Sequence, residues 1–225
     1  MAAAAPEPVE PRLPLSRERI LRAALAIADE QGIEALSMRK LAQALGFEAM
    51  SLYNHVANKN DLLDGLLDLV LEETETPSPD EPWDAAIRAS AISVHDAFRR
   101  HAWAPPLLMK GAHIRPARLG YMDSLLGRLR AAGFDADTTY HAYHVLDGHI
   151  FGFSQWETSH SSYSPSDEIK LRELFDRVIT EEAYPHLREH GQQHFAEGPH
   201  RHVSAFEFGL DLILDGLRAL HADSV

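Results

Sequence analysis

The sequence predicts an all-α protein, and three observations support this. Apolar residues recur three and four apart in the long segments, and strand-type alternation is found nowhere. Helix-stopping residues, among them Gly32, Gly46, Gly133 and Pro105–Pro106, sit between those segments. The stretch from Ser37 to Lys59, SMRKLAQALGFEAMSLYNHVANK, reads as two short helices joined by a tight turn.

Taken in order, the first fourteen residues, MAAAAPEPVEPRLP, lack a basic start and an apolar core. They read as a disordered Pro/Ala tail (1–15) rather than a signal peptide. A helix over 16–31 carries Ile20, Leu21, Ala24, Ile27 and Ala28 as one stripe and stops at Gly32. Ser37 is placed to cap the next helix. Leu41, Ala42 and Leu45 line that helix, and Gly46 is placed to end it with positive φ. A second helix from Ala49 to about Val56 turns Leu52 and Val56 inward. Ala49, Met50, Ser51, Tyr53 and Asn54 then point outward, on a helix of the kind that enters a major groove.

A fourth helix starts near Asn60, capped by Asn58 or Asn60, with Leu62, Leu63, Leu66, Leu67 and Val70 on its apolar face. The acidic, Pro-rich EETETPSPDEP (72–82) reads as a solvated linker, dividing a domain at 16–71 from one at 83–225. In the second domain, helical spacing covers 83–101, 116–132, 138–158, 166–190 (which Pro185 can break) and 203–221. A polar loop at 159–165 and a Gly/Pro/His-rich stretch at 191–202 separate the last of these. Helix 138–158 is apolar nearly all round, and 203–221 carries Phe208 and Leu212 off its main face. That is more apolar surface than one small domain covers, so an oligomer is expected.

Composition narrows the function. No run of about 18 apolar residues exists, so no membrane-spanning helix and no membrane partner are expected. The absence of cysteine excludes disulfides and thiol redox sensing and suits the cytoplasm. The formal net charge is −13, but residues 12–60 hold seven Lys/Arg against five Asp/Glu. Positive charge therefore gathers where a phosphate backbone would be met.

Residues 16–70, from LSRERILRAALAIADEQGIEALSMRKLA to LGFEAMSLYNHVANKNDLLDGLLDLV, closely resemble the DNA-binding domain of the tetracycline-repressor (TetR) family of bacterial regulators. The leading amphipathic helix, the Gly-Ile turn, the Leu-Tyr-x-His-Val segment and the Asn-Lys-x-x-Leu-Leu start are all present in order. The stretches EPWDAAIRASAISVHDAFRRHAWAPPLL and LGRLRAAGFDADTTYHAYHVLDGHIFGF resemble the family's C-terminal domain.

The resemblance implies a cytoplasmic, nucleoid-associated homodimer that binds a palindromic double-stranded operator and regulates transcription as a repressor. It implies no catalysis and no cofactor. By this resemblance Arg39 reaches a base, with Ala49, Met50, Ser51 and Asn54 on the reading face. Tyr53, His55, Lys59 and the amide end at Ser37 belong to the same interface, where Tyr53, Lys59 and Ser37 hold phosphates. Helices 138–158 and 203–221 fit the family's four-helix dimer bundle. A pocket lined by Val94, Leu108, Met109, Met122, Leu125, Leu129, His144 and Trp156 suits an apolar or aromatic inducer.

Fourteen histidines raise an alternative, a metal-responsive regulator or metalloenzyme using the His-rich C-terminal half. HLREH (186–190) fits a two-histidine zinc pattern, and ETSH (157–160) is half of a di-iron pair. His141, His144 and His149 are further candidates. Without a set of partner ligands such short patterns are weak, and no metal residue is assigned.

Overall fold

The structure is a computed structural model that describes residues 14–110, 116–161, 165–195 and 204–222. Residues 1–13 of the expected tail, Arg12 among them, lie outside the described residues, as do 162–164 and 196–203. The described residues are helical and contain no strand.

The N-terminal part comprises α1 (Arg17–Gln31), a 3-10 turn (Ile33–Ala35), α2 (Met38–Leu45), α3 (Ala49–Leu52) and α4 (Lys59–Glu72). Its helix starts are set by local chemistry: the oxygens of Ser16, Ser37 and Asn58 accept from the amides of Arg19, Lys40 and Asp61. Helix α2 ends in a Schellman motif at Gly46, φ 75° and ψ 29°. The Phe47 amide donates to Ala42 O (3.0 Å) and the Gly46 amide to Gln43 O (3.2 Å). Helix α3 is shorter than the expected 49–56. The Val56 amide still reaches Leu52 O (3.0 Å), but the His55 amide bonds Leu52 O as well (2.9 Å), so the chain tightens into a turn.

The body holds α5 (Trp83–Arg100), α6 (Ala104–Lys110), α7 (Pro116–Ala131), α8 (Ala136–Ser161), α9 (Pro165–Val178), α10 (Pro185–Phe195) and α11 (Ala205–Ala222). The segment expected as one helix over 166–190 is two: α9 ends at Val178, a non-helical stretch covers 179–184, and Pro185 opens α10, where its missing N–H has no intrahelical partner to lose. The acidic stretch before α5 is not a free tether. The Glu75 amide donates to Ser93 Oγ (3.0 Å) and Ser90 Oγ–H donates to Glu75 O (2.6 Å), tying it to α5.

One apolar core runs from Ile20, Leu41 and Leu52 through Leu62, Leu66 and Val70 of α4 into Ile87, Val94, Phe98, Leu125, Leu146 and Phe206 of the body. Helices α5, α8 and α11 pack mutually at its centre. Arg88 of α5 forks onto α11, to Asp211 Oδ1 (2.7 Å) and Glu207 Oε2 (2.7 Å), and holds the Asp211 carboxyl below its ordinary range. Helix α8 buries one side, Ala142, Tyr143, Leu146, Ile150 and Phe151, while Tyr140, Val145 and Trp156 stay exposed.

Candidate nucleic-acid interface and effector body

The reading head follows from the caps. With Ser37 fixed by its bond to Lys40 N–H and Gly46 reversing the chain, α2 and α3 cross tightly. Leu52 and Val56, both buried, anchor α3 on Leu41 and the α1 stripe. Arg19 of α1 lies over the Phe47 ring in the turn, 5.6 Å from its centroid. The opposite face is left to solvent. Met50 is 74% exposed; Arg39, Tyr53, Asn54 and Lys59 are exposed; Ala49, Ser51 and His55 are half-buried. All nine residues proposed from the sequence, Ser37 included, are thus exposed or half-buried rather than part of the core.

Behind this surface lie groups that the local pattern did not single out. The Arg17 guanidinium pairs with both Asp61 oxygens (2.9 and 2.8 Å) and donates to His55 O (3.2 Å). At the other end of the head, Asp29 Oδ1 accepts from Trp103 Nε1–H (2.7 Å) and sits 2.8 Å from His101 Nδ1. His101 Nε2 faces Glu73 at 3.3 Å, and Arg100 Nη2 donates to Glu73 Oε2 (3.0 Å). Burial works against that carboxylate, but its bonds to Arg100 and His101 outweigh it and lower the Glu73 pKa. Helices α1, α4 and α5 thus meet in a polar knot around a buried imidazole.

In the body, Val94, Leu108, Leu125 and Leu129 are buried together and Met122 packs against their cluster. Met109, His144 and Trp156 lie on outer faces of the single chain. His144 Nδ1 is 2.7 Å from Tyr140 O, and the Trp156 ring stands 5.4 Å from Phe153. Beside the apolar cluster sits a polar group spanning α7 and α8. Burial pushes the Tyr121 hydroxyl up, the Tyr143 hydroxyl up to about 12 and the Asp147 carboxyl above its ordinary range, while Arg118 lowers both Tyr143 and Asp147. The i, i+4 pair Tyr143 and Asp147 was the available sequence signal for this group.

A second buried constellation joins α5, α8 and α11. The His95 ring stacks on Phe206 (3.8 Å, 7°) and its Nδ1 lies 2.9 Å from Ser154 Oγ, whose hydroxyl donates to Ile150 O (2.7 Å). Ser154 therefore accepts from Nδ1–H, which leaves Nε2 facing Glu157 Oε2 at 3.3 Å. Burial lowers the His95 pKa, with Glu157 opposing it. Among the described residues no three His, Asp or Glu side chains gather as a metal site, and the metal-based alternative finds no support. His160, His194, His200 and His202 lie outside the described side chains.

Comparisons with known proteins agree with this layout. Residues 20–66 match the family model for bacterial regulatory proteins of the tetR family, and residues 76–221 match that for the tetracyclin repressor-like C-terminal domain. The chain is 32% identical over 221 residues to the HTH-type transcriptional repressor DrrR1 of Streptomyces coeruleorubidus, covering 94% of this chain and 80% of that one. It is 31% identical over 215 residues to the class C tetracycline repressor protein of Escherichia coli, covering 92% of each. The crystal structure of Streptomyces coelicolor ActR in complex with actinorhodin superposes with a TM-score of 0.72 at 28% identity, covering 93% of this chain and 99% of that one.

Proposed function

The chain belongs to the TetR family of bacterial transcriptional regulators, DNA-binding proteins and not enzymes, and on that premise we propose a homodimeric repressor released from a palindromic operator by an apolar or aromatic effector. The observation that carries the reading is the paired exposure of two surfaces on one continuous core. One is the polar face of α2–α3 and the start of α4. The other is the bare apolar side of α8 and α11.

Val145, Phe208 and Leu212 are 52, 62 and 59% exposed, and an apolar groove of about 270 Å³ runs between the two helices along Val145, Leu212, Leu217 and Leu220. Gly148, Gly152 and Gly216 have no neighbouring atom within 4 Å of a Cβ built on them, so a second copy can approach closely. A symmetric pairing there buries both stripes and gives two heads for two half-sites. Arg39, Met50, Ser51 and Asn54 supply base contacts; Ser37, Tyr53 and Lys59 supply phosphate contacts, with Ala49 and His55 completing the surface.

The effector reading rests on the cluster of Val94, Leu108, Met122, Leu125 and Leu129 with Tyr121, Tyr143 and Asp147 at its edge, apolar walls with few polar groups. Relatives support a ligand-controlled repressor: DrrR1 is named a repressor, and ActR was crystallised with actinorhodin. An effector that binds better to the arrangement unfit for DNA lowers operator affinity by the same factor that DNA lowers its own.

Selection of a random duplex library by the purified protein at two salt concentrations tests the reading. An enriched palindrome is expected, and thermal-shift screening with aromatic compounds then seeks one that also frees that duplex. Binding that stays salt-sensitive with no enriched sequence would overturn it.

A further inference from the structure

We infer that Arg17 is a positioning residue for sequence reading: it sets the angle at which α3 leaves the head without touching a base. This rests on the operator-binding function proposed above. Arg17 opens α1, yet its bonds go to the far side of the helix-turn-helix. Nη1 donates to Asp61 Oδ2 (2.9 Å) and His55 O (3.2 Å), and Nη2 donates to Asp61 Oδ1 (2.8 Å).

Asp61 is itself part of the connection out of α3. Its Oδ2 also accepts from the Ala57 amide (2.8 Å), and its own amide donates to Asn58 Oδ1 (3.0 Å). One guanidinium thus fixes, directly or through one carboxylate, the backbone at His55, Ala57 and the α4 cap. Those residues lie between Tyr53 and Lys59, both on the reading surface.

The site is shaped for a guanidinium. Helix α4 passes α1 at Gly65, where an added Cβ would stand 2.6 Å from Leu21 Cδ2 and 3.4 Å from Arg17 Nη2. The close crossing brings the Arg17 fork square onto Asp61. A lysine offers one ammonium and cannot bond both carboxylate oxygens and the His55 carbonyl in this plane. Because α3 is only four residues long, its own hydrogen bonds cannot hold it rigid, and its aim depends on what grips its exit.

The rival role for an arginine at this surface is a phosphate contact, and the two separate cleanly. Dissociation constants are measured for the selected operator and a scrambled duplex over a salt series, using the full-length protein and its Arg17→Lys, Arg17→Ala and Asp61→Asn variants. Positioning predicts that all three lower the ratio of operator to scrambled affinity by about tenfold. The salt slope of Arg17→Lys should match wild type.

Asp61→Asn decides most sharply. Charge alone makes loss of a carboxylate tighten binding to any DNA, whereas positioning makes it weaken operator binding. An Arg17→Lys variant with wild-type ratio, or an Asp61→Asn variant tighter on both duplexes, overturns the inference. Equal loss on both duplexes also overturns it, since partial unfolding of the head would act that way. If the wild-type protein selects no operator at all, the base-reading function fails instead, a separate result.

Discussion

His101, which caps the end of α5, and Asp29 of α1 meet at 2.8 Å across the seam between the reading head and the body. The imidazole is buried, with Glu73, just past the end of α4, on its other side and Trp103 sharing the Asp29 oxygen. Replacing His101 by Ala leaves two carboxylates facing a void. Lost buried hydrogen bonds of this kind cost about 1–3 kcal/mol. Calorimetry should show the melting temperature fall by about 2–8 °C and the head melt ahead of the body. A single unshifted transition would show that the knot holds nothing.

Arg39 and Lys59 are expected to fail differently. Arg39→Ala should cost about 1–3 kcal/mol at the operator and relax preference at one position. Lys59→Ala should weaken all duplexes alike and reduce the salt slope by about one. Binding assays on the operator and its single-base variants distinguish the two, and a reversed pattern would exchange their roles.

The bare side of α11 gives a prediction about assembly. Leu212→Asp places a charge in the proposed dimer seam, where it has no partner. Sedimentation should show monomers at concentrations where the parent is dimeric, with helicity retained. Operator affinity should fall by more than about tenfold, since one head reads only one half-site. A dimeric Leu212→Asp protein would place the seam elsewhere.

Gly46 carries the left-handed turn between α2 and α3. Gly46→Ala meets open space, so its penalty is backbone strain alone, about 1–2 kcal/mol. Chemical denaturation should show that loss, and unchanged stability would mean that the turn relaxes without cost.

Burial raises the Asp147 pKa above its unfolded value, so the folded state binds a proton more readily than the unfolded one. Stability attached to this group is therefore lost as pH rises from the unfolded value, 3.8, through the raised folded one. Asp147→Asn keeps an acceptor for Tyr143 and removes the charge. Its melting temperature should exceed wild type at pH 7.5, and the gain should shrink toward pH 4. A constant gain, or a loss at pH 7.5, would contradict this.

The head was legible because its signals are local. Ser37 and Gly46 act within three or four residues of themselves, so their caps could be read before any packing was known, and the cap of α4 could be narrowed to Asn58 or Asn60, of which it is Asn58. The limit of α3 was not legible: Tyr53, Asn54 and His55 suit a helix, and only the tightened bonds at Leu52 O end it. Arg17–Asp61 and His101–Asp29 join residues 44 and 72 positions apart, where spacing carries no information. Apolar periodicity found the helices around the effector body but not their outlook. Val94 and Trp156 fit the same spacing, yet one is enclosed and the other lies on an outer face.

The 14 residues of α4 join the two ends of the head, from Lys59 beside the reading surface to Glu72, next to the Glu73 contact with His101. At about 1.5 Å per residue that is a rod of about 21 Å. A pivot of about 10° at the Glu72 end displaces the Lys59 end by about 4 Å, close to the ~3.4 Å rise of one base step. In a two-headed protein such a swing puts one head out of phase with its groove while every contact inside the head survives. The length of this helix would therefore set the gain: a rearrangement in the body small enough to leave its core packed would be multiplied into a loss of register on the duplex.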